Sequence, residues 1–285
     1  MKQLKFVNEI PKKDSTKMEN GGTLVEITYP TKDYYNDETV SVEKPAFVYL
    51  PKDYDKSKKY NVMFLMHGVG GNEKEWGMCS DESVVKAILD HLIAEGRIEP
   101  MIVVTPNGRC GVDYAQTDFE YFKTFYPFGK ELRNDLIPYI DKNFATYGEY
   151  DEKGYDLTKA RDHRAMAGLS MGGMQTTNIG MCECTDIISY FGAFSAAPTT
   201  YPAAEIAEKL KVFKDYNIHY YYGVCGTEDE IAFPSASAAV KGLTDLTDKL
   251  TDGENFHWQT LPGVHDFDIW YLGFYNYANL VFAVS

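Results

Sequence analysis

Ser170 carries the first sign of chemistry. It stands in Gly168-Leu169-Ser170-Met171-Gly172, where an apolar run of strand character meets a stretch, residues 171–182, that reads as a helix. A strand-to-helix turn this tight needs small flanking residues. Gly168 and Gly172 supply them, and Gly173 lets the new helix pack closely on its neighbours. The spacing predicts a nucleophile elbow, with the Ser170 hydroxyl held at the tip of a strained turn. Backbone donors and the helix dipole beside it would favour an oxyanion. The same pentapeptide also occurs in ordinary strand-to-helix turns, so its meaning depends on partners elsewhere in the chain.

A serine hydroxyl is a weak nucleophile until a base takes its proton, and the base needs a third group to fix its tautomer. In sheets that carry an elbow the chain order is serine, acid, histidine. Of the six histidines, His265 lies in Pro262-Gly263-Val264-His265-Asp266-Phe267, directly after the last predicted strand, where the base belongs. His219 and His257 fall inside predicted strands, His91 lies on a surface helix and His163 opens the elbow strand, so these read as structural. The acid is expected in Gly226-Thr227-Glu228-Asp229-Glu230-Ile231, after the predicted strand that ends at Cys225. Asp229 is the first choice, Glu228 the second and Glu230 the third, since a carboxylate run is mostly solvated surface.

His67-Gly68-Val69-Gly70-Gly71-Asn72 follows the apolar run 60–66 directly. It lacks the Walker lysine and the G-x-G-x-x-G spacing of a phosphate cradle. The better reading is an oxyanion turn, whose backbone N–H works with the N–H after the nucleophile. Those donors are assigned to Val69 and Met171, with Gly70 as the alternative to Val69. The His67 ring is expected to brace the turn rather than to react.

The elements that must position these groups alternate. Residues 60–66 form a nearly continuous apolar run and 101–105 read as another buried strand, as in a parallel sheet covered on both faces. Further strands are expected at 23–29, 45–50, 188–195, 218–225 and 256–261. Helices are expected at 81–95, 130–144, 203–213, 238–250 and 269–283. Strands alternating with helices at this spacing predict an α/β fold, a doubly wound and mostly parallel sheet. The loop 107–126 is rich in aromatics, with Tyr114, Phe119, Tyr121, Phe122, Phe125 and Tyr126. It leaves the carboxyl end of a strand, so it could wall a pocket for an acyl or sugar group, or pack on its own rings.

With 285 residues and no Pro/Gly/Ser-rich linker, the chain is expected to form a single domain, residues 1–285. Its first 20 residues are polar and expected to be loosely held. A net charge of −14 argues against nucleic acid or an anionic membrane surface as partner and fits a neutral substrate. No apolar run approaches membrane-spanning length. Residues 1–13 lack the apolar core of a signal peptide, which leaves a secreted protein whose signal is not in this chain, or a cytoplasmic one. The five cysteines are odd in number and form no C-x-x-C pair, which argues against zinc. Free thiols are expected, with one disulfide between Cys79 and Cys110 conceivable.

Together, His67-Gly68-x-Gly70-Gly71, Gly168-Leu-Ser170-Met-Gly172-Gly173, Gly226-Thr-Glu-Asp229-Glu-Ile-Ala and Gly263-Val-His265-Asp266 resemble the feruloyl and acetyl xylan esterases of carbohydrate esterase family 1, in the esterase D group. The resemblance runs from about Thr23 to Phe282. Pro106-Asn107-Gly108 and the helix around Glu131-Leu-Arg-Asn-Asp-Leu-Ile-Pro-Tyr-Ile140 resemble the feruloyl esterase modules of bacterial xylanases in particular. It implies an eight-stranded α/β-hydrolase sheet, no metal or organic cofactor, and esters of plant cell-wall polysaccharide or its fragments as substrate. Ser170 would then be nucleophile, His265 base and Asp229 its orienting acid. One extra residue before Asp229 departs from the Gly-Ser-Asp-Glu form of those modules and keeps Glu228 in play. Trp76, Tyr114 and Trp270 are candidate walls for an aromatic acyl group or a xylan chain. The rival readings are an acetyl xylan esterase with the same triad, a catalytically inactive carbohydrate-binding module and a peptidase. A thioester hydrolase of the S-formylglutathione type is disfavoured, because no cysteine follows Gly68.

Overall fold

The computed structural model describes residues 6–151 and 154–282. Its sheet has eight strands: β1 (Thr23–Asp33), β2 (Asp37–Leu50), β3 (Asn61–Met66), β4 (Met101–Pro106), β7 (Arg164–Leu169), β8 (Tyr190–Phe194), β9 (Tyr220–Gly226) and β10 (Phe256–Leu261). The spatial order is β1-β2-β4-β3-β7-β8-β9-β10. β1, β2 and β4 pair antiparallel, and every pair from β4 to β10 is parallel. A separate short hairpin joins β5 (Tyr150–Asp151) to β6 (Gly154–Tyr155). This is the doubly wound α/β-hydrolase sheet.

Side chains of β3 alternate between two apolar layers. Val62, Phe64 and Met66 join one core cluster, and Met63 and Leu65 join the other. The first layer lies under the helical segments α2 (Phe128–Glu131), α3 (Ile137–Asn143), α5 (Ala203–Leu210) and α6 (Phe233–Val240). The second lies under α1 (Val84–Ala94) and α8 (Phe267–Ala278). A strand buried on both faces cannot alternate polar with apolar residues, which is why these strands read as unbroken apolar runs. α1 begins at Ser83, whose side chain accepts from the Lys86 N–H.

Three expectations are corrected. The N-terminal segment is not loose from residue 6 onward. Phe6 stacks on His257 at 3.6 Å between ring centroids, Val7 is held by Asn276, and Asp14 accepts from Arg97 and Tyr275. A few apolar and acidic anchors suffice in an otherwise polar stretch. The helix expected at 238–250 is two helices, α6 and α7 (Leu243–Leu246), because Gly242 takes φ +70 and ends the first. The helix expected at 130–144 is interrupted by a π-helical run, Leu132–Leu136, just before Pro138, whose ring nitrogen has no hydrogen to donate. All five cysteines are free thiols, and only Cys79 is exposed.

Because the strands from β4 to β10 run parallel, their carboxyl ends share one rim. The loops after β3, β4, β7, β9 and β10 all leave from it, and they carry the residues singled out by their chemistry.

Candidate active site

At the end of β7 the backbone of Ser170 takes φ +49 and ψ −112, before α4 (Met171–Met174) begins. A side chain in this region stores about 1–3 kcal/mol of strain and persists only where its surroundings over-determine it. Here the Ser170 N–H donates to the Phe194 carbonyl at 2.9 Å, and the Ser170 carbonyl accepts from the Ala197 N–H at 3.0 Å. A Cβ on Gly172 would lie 2.5 Å from the Met66 carbonyl oxygen, so nothing larger than glycine lets the elbow seat against β3. The Ser170 hydroxyl lies 3.0 Å from His265 Nε2.

His265 comes from the loop between β10 and α8. Asp266 fixes the end of that loop as the cap of α8, accepting from the Asp268 and Ile269 N–H groups. The loop after β9 is bound to it: the Thr227 N–H donates to the Leu261 carbonyl, and the Glu228 N–H to that of Gly263. A Cβ on Gly226 would sit 2.2 Å from the Gly263 oxygen, so this close approach requires glycine. The approach brings Asp229 Oδ2 to 2.7 Å from His265 Nδ1. Asp229 is buried, whereas Glu228 and Glu230 are exposed. Burial pushes the Asp229 carboxyl up, but the Ala232 N–H and His265 outweigh it and hold the group below its ordinary value. Asp229 therefore remains a carboxylate through neutral pH, able to hold the imidazole Nδ1–H toward itself and leave Nε2 facing the serine.

The turn after β3 is built by groups that grip its carbonyls. His67 donates from Nδ1 to the Gly68 carbonyl at 2.7 Å, and its Nε2 accepts from the Gly108 N–H at 2.8 Å. The Gly71 N–H reaches the same Gly68 carbonyl. In a trans peptide the N–H points opposite the carbonyl, so anchoring the Gly68 oxygen aims the Val69 N–H away from these anchors. Arg109 donates to the Val69 and Gly71 carbonyls, and Glu75 accepts the Gly68 N–H at 2.6 Å. Among the described residues, no protein acceptor meets the N–H of Val69 or of Met171. The segment that supplies Gly108 and Arg109 is itself held by buried Lys44, which donates to the Asn107 and Arg109 carbonyls and pairs with Glu131 at 2.6 Å.

These anchors carry their own electrostatics. Burial, then the nearby Arg109 charge, depress the His67 pKa to about 3. Burial also lowers Arg109, to about 10, against the opposing charges of Glu75 and Glu73. Burial raises Glu75 against the pull of the Gly68 N–H and Arg109. The native state keeps His67 neutral to about pH 3, while an unfolded chain takes up the proton near 6.5. Stability contributed by neutral His67 is thus full above that upper value and is lost as pH falls toward the lower, by up to several kcal/mol. His67→Asn is expected to flatten the decline of the urea midpoint between pH 6.5 and 4 relative to wild type; parallel declines would contradict this.

The candidate wall residues separate. Trp270 is buried with its ring roughly perpendicular to that of His265 at 5.0 Å, so it abuts the hydrogen-bonded row Asp229–His265–Ser170. Trp76 is not a wall open to a ligand. It is 1% exposed, its Nε1 donates to the Met66 carbonyl, and its ring packs on Phe194, Phe267 and Phe274, making it core beneath the elbow. Tyr114 is half-buried, its ring turned to the Lys44 ammonium at 5.9 Å, on the support of the turn rather than at the Ser170–His265 pair. The aromatic loop after β4 does both things foreseen for it. Phe125 is buried against His67, while half-buried Phe122 packs with Val69 on the cluster containing Met171 and Met174. Phe122 thus shares a cluster with the two residues that carry the free N–H groups, and only its place in a run of aromatics marked it in the sequence. Arg109 and Glu75 carried no such mark.

The Esterase family model matches residues 39–233. Endo-1,4-beta-xylanase Y of Acetivibrio thermocellus is 32% identical over 231 residues, 77% of this chain and 20% of that protein. The endo-1,4-beta-xylanase/feruloyl esterase of Xylanibacter ruminicola is 34% identical over 232 residues, 78% of this chain and 28% of that protein. The chain thus spans under a third of the length of these curated relatives. The CE1 ferulic acid esterase AmCE1/Fae1A of Anaeromyces mucronatus, solved without substrate and with ferulic acid, is 28% identical with a TM-score of 0.78, over 98% of each chain. With the elbow, the parallel sheet and these likenesses in agreement, the chain belongs to the Esterase family, as a carboxylic ester hydrolase.

Proposed function

We propose that this chain is a serine esterase that releases feruloyl, or closely related hydroxycinnamoyl, groups from cell-wall arabinoxylan through an acyl-enzyme. The observation that carries the reading is the hydrogen-bonded row Asp229–His265–Ser170 beside two unengaged N–H groups and the Phe122 ring. Ser170 Oγ attacks the ester carbonyl carbon as its proton passes to His265 Nε2. The carbonyl oxygen becomes an oxyanion held by the Val69 and Met171 N–H groups, a type of contact worth about 10²–10³ in kcat per donor. The tetrahedral centre collapses, and the sugar alcohol leaves with the proton from His265. Water, deprotonated by the same nitrogen, then attacks the acyl-serine and frees the acid.

An aromatic acyl group, rather than acetate, is supported by Phe122 beside the donors and by the ferulic acid esterase among the structural relatives. Initial rates on methyl ferulate and on acetylated xylan, measured side by side, test it. Methyl ferulate is expected to be the better substrate by about two orders of magnitude in kcat/KM, the scale on which a pocket discriminates by apolar contact. Acetate release with no ferulate turnover would make the protein an acetyl xylan esterase. Activity on neither would refute the esterase reading of these substrates.

A further inference from the structure

A second feature begins where the elbow helix leaves Ser170. α4 continues as a π-helical run, Gln175–Met181, and Met174, Asn178, Ile179 and Glu183 from this stretch line one cleft. Its other walls are Tyr126, from the aromatic loop, and Thr199 and Tyr201, from the loop after β8. The cleft holds about 360 Å³. From Met174 to Glu183 it follows the helix for about 13 Å, which accommodates a short run of linked rings rather than a single small group.

It is joined to the reactive turn. Thr199 Oγ1 lies 3.9 Å from the sulfur of Met171, the residue after the nucleophile. Asn178 is buried and ties the loop to the helix, its Nδ2 donating to the Thr199 carbonyl and its Oδ1 accepting from the Tyr201 N–H. The walls are therefore pre-set and lose little freedom when a ligand enters.

The lining chemistry selects the ligand. Two tyrosines offer hydroxyls and ring surface, the Lys209 ammonium lying over the Tyr201 ring at 4.6 Å, and Asn178, Thr199 and Glu183 offer an amide, a hydroxyl and a carboxylate. The Glu183 carboxylate is countered by the nearby Lys209 and Arg133 charges, so the cleft presents no unbalanced cation to an anion, within a chain of net charge −14. A sugar ring, with an apolar C–H face and a rim of hydroxyls, fits both the rings and the polar groups.

We propose that this cleft is a subsite for neutral polysaccharide, and that it holds xylan backbone units of the chain whose ester lies at Ser170. The proposal rests on the feruloyl esterase reading and deepens it. It is tested with Tyr201→Ala, which lies outside the triad and the oxyanion donors, and with Tyr201→Phe to keep the ring. On a feruloylated arabinoxylo-oligosaccharide, Tyr201→Ala is expected to lower kcat/KM about tenfold through KM, equivalent to about 1.4 kcal/mol. On methyl ferulate each variant is expected to stay within about twofold of wild type, and Tyr201→Phe to recover most of the loss. Equal losses on both substrates, or none on the oligosaccharide, would overturn the subsite. A second arm is independent of turnover: unesterified xylo-oligosaccharide titrated into Ser170→Ala protein by calorimetry. Binding that disappears with Tyr201→Ala supports the subsite even if ferulate proves not to be the acyl group. Absence of binding overturns the subsite while leaving the esterase reading to the methyl ferulate assay.

Discussion

Ser170→Ala is expected to reduce kcat on methyl ferulate by about 10⁶-fold, to the level that binding and the oxyanion donors alone sustain. The change removes one oxygen from a buried site and leaves every backbone contact of the elbow in place. It also leaves the strain, since alanine at φ +49 is no more at ease than serine. The folded state should therefore persist, shown by an unchanged circular dichroism spectrum and a cooperative thermal transition. Because nucleophile and base act as one unit, adding His265→Ala to Ser170→Ala should cost almost nothing further. Losses that multiplied would mean that His265 serves some reaction not passing through Ser170.

The second large effect separates two neighbouring carboxylates. Asp229→Ala is expected to lower kcat about 10⁴-fold, because the imidazole then has nothing to hold its Nδ1–H and its cation is left unsupported. Glu228→Ala should remain within about twofold of wild type, since that side chain is exposed to solvent. Steady-state rates for the two variants on one substrate decide the matter. A large loss from the Glu228 change with Asp229→Ala near wild type would overturn the assignment. The structure explains the asymmetry through backbone rather than acidity. The Asp229 Oδ1 accepts from the Ile231 and Ala232 N–H groups, which turns the other oxygen toward His265.

What was legible in the sequence follows from how strongly each feature is constrained locally. Strands β3, β4 and β7 are covered on both faces, so they show as apolar runs. The elbow shows because backbone crowding at Gly172 tolerates no side chain. His265 shows because the parallel order puts the end of the last strand on the rim that carries Ser170. Asp229 could be ranked above Glu228 but not separated from it by residue type, since only burial distinguishes them. Trp76 and Trp270 look alike in sequence, yet one props the elbow from within and the other abuts His265. The supports of the turn after β3 were out of reach beyond His67. Arg109 acts on backbone carbonyls 38 and 40 residues away, and no local pattern records which carbonyl a side chain will grip. The break at Gly242 was masked by an amphipathic pattern that runs across both helices it separates.

The measurement closest to the central claim is to trap the intermediate. The protein is mixed with methyl ferulate, quenched in acid within the first turnover, digested and analysed by mass spectrometry. A feruloyl adduct on the peptide containing Ser170, absent from Ser170→Ala protein and decaying as free ferulate appears, is the predicted result. Ferulate release that persists undiminished in Ser170→Ala protein, or an adduct on another residue, would contradict the account.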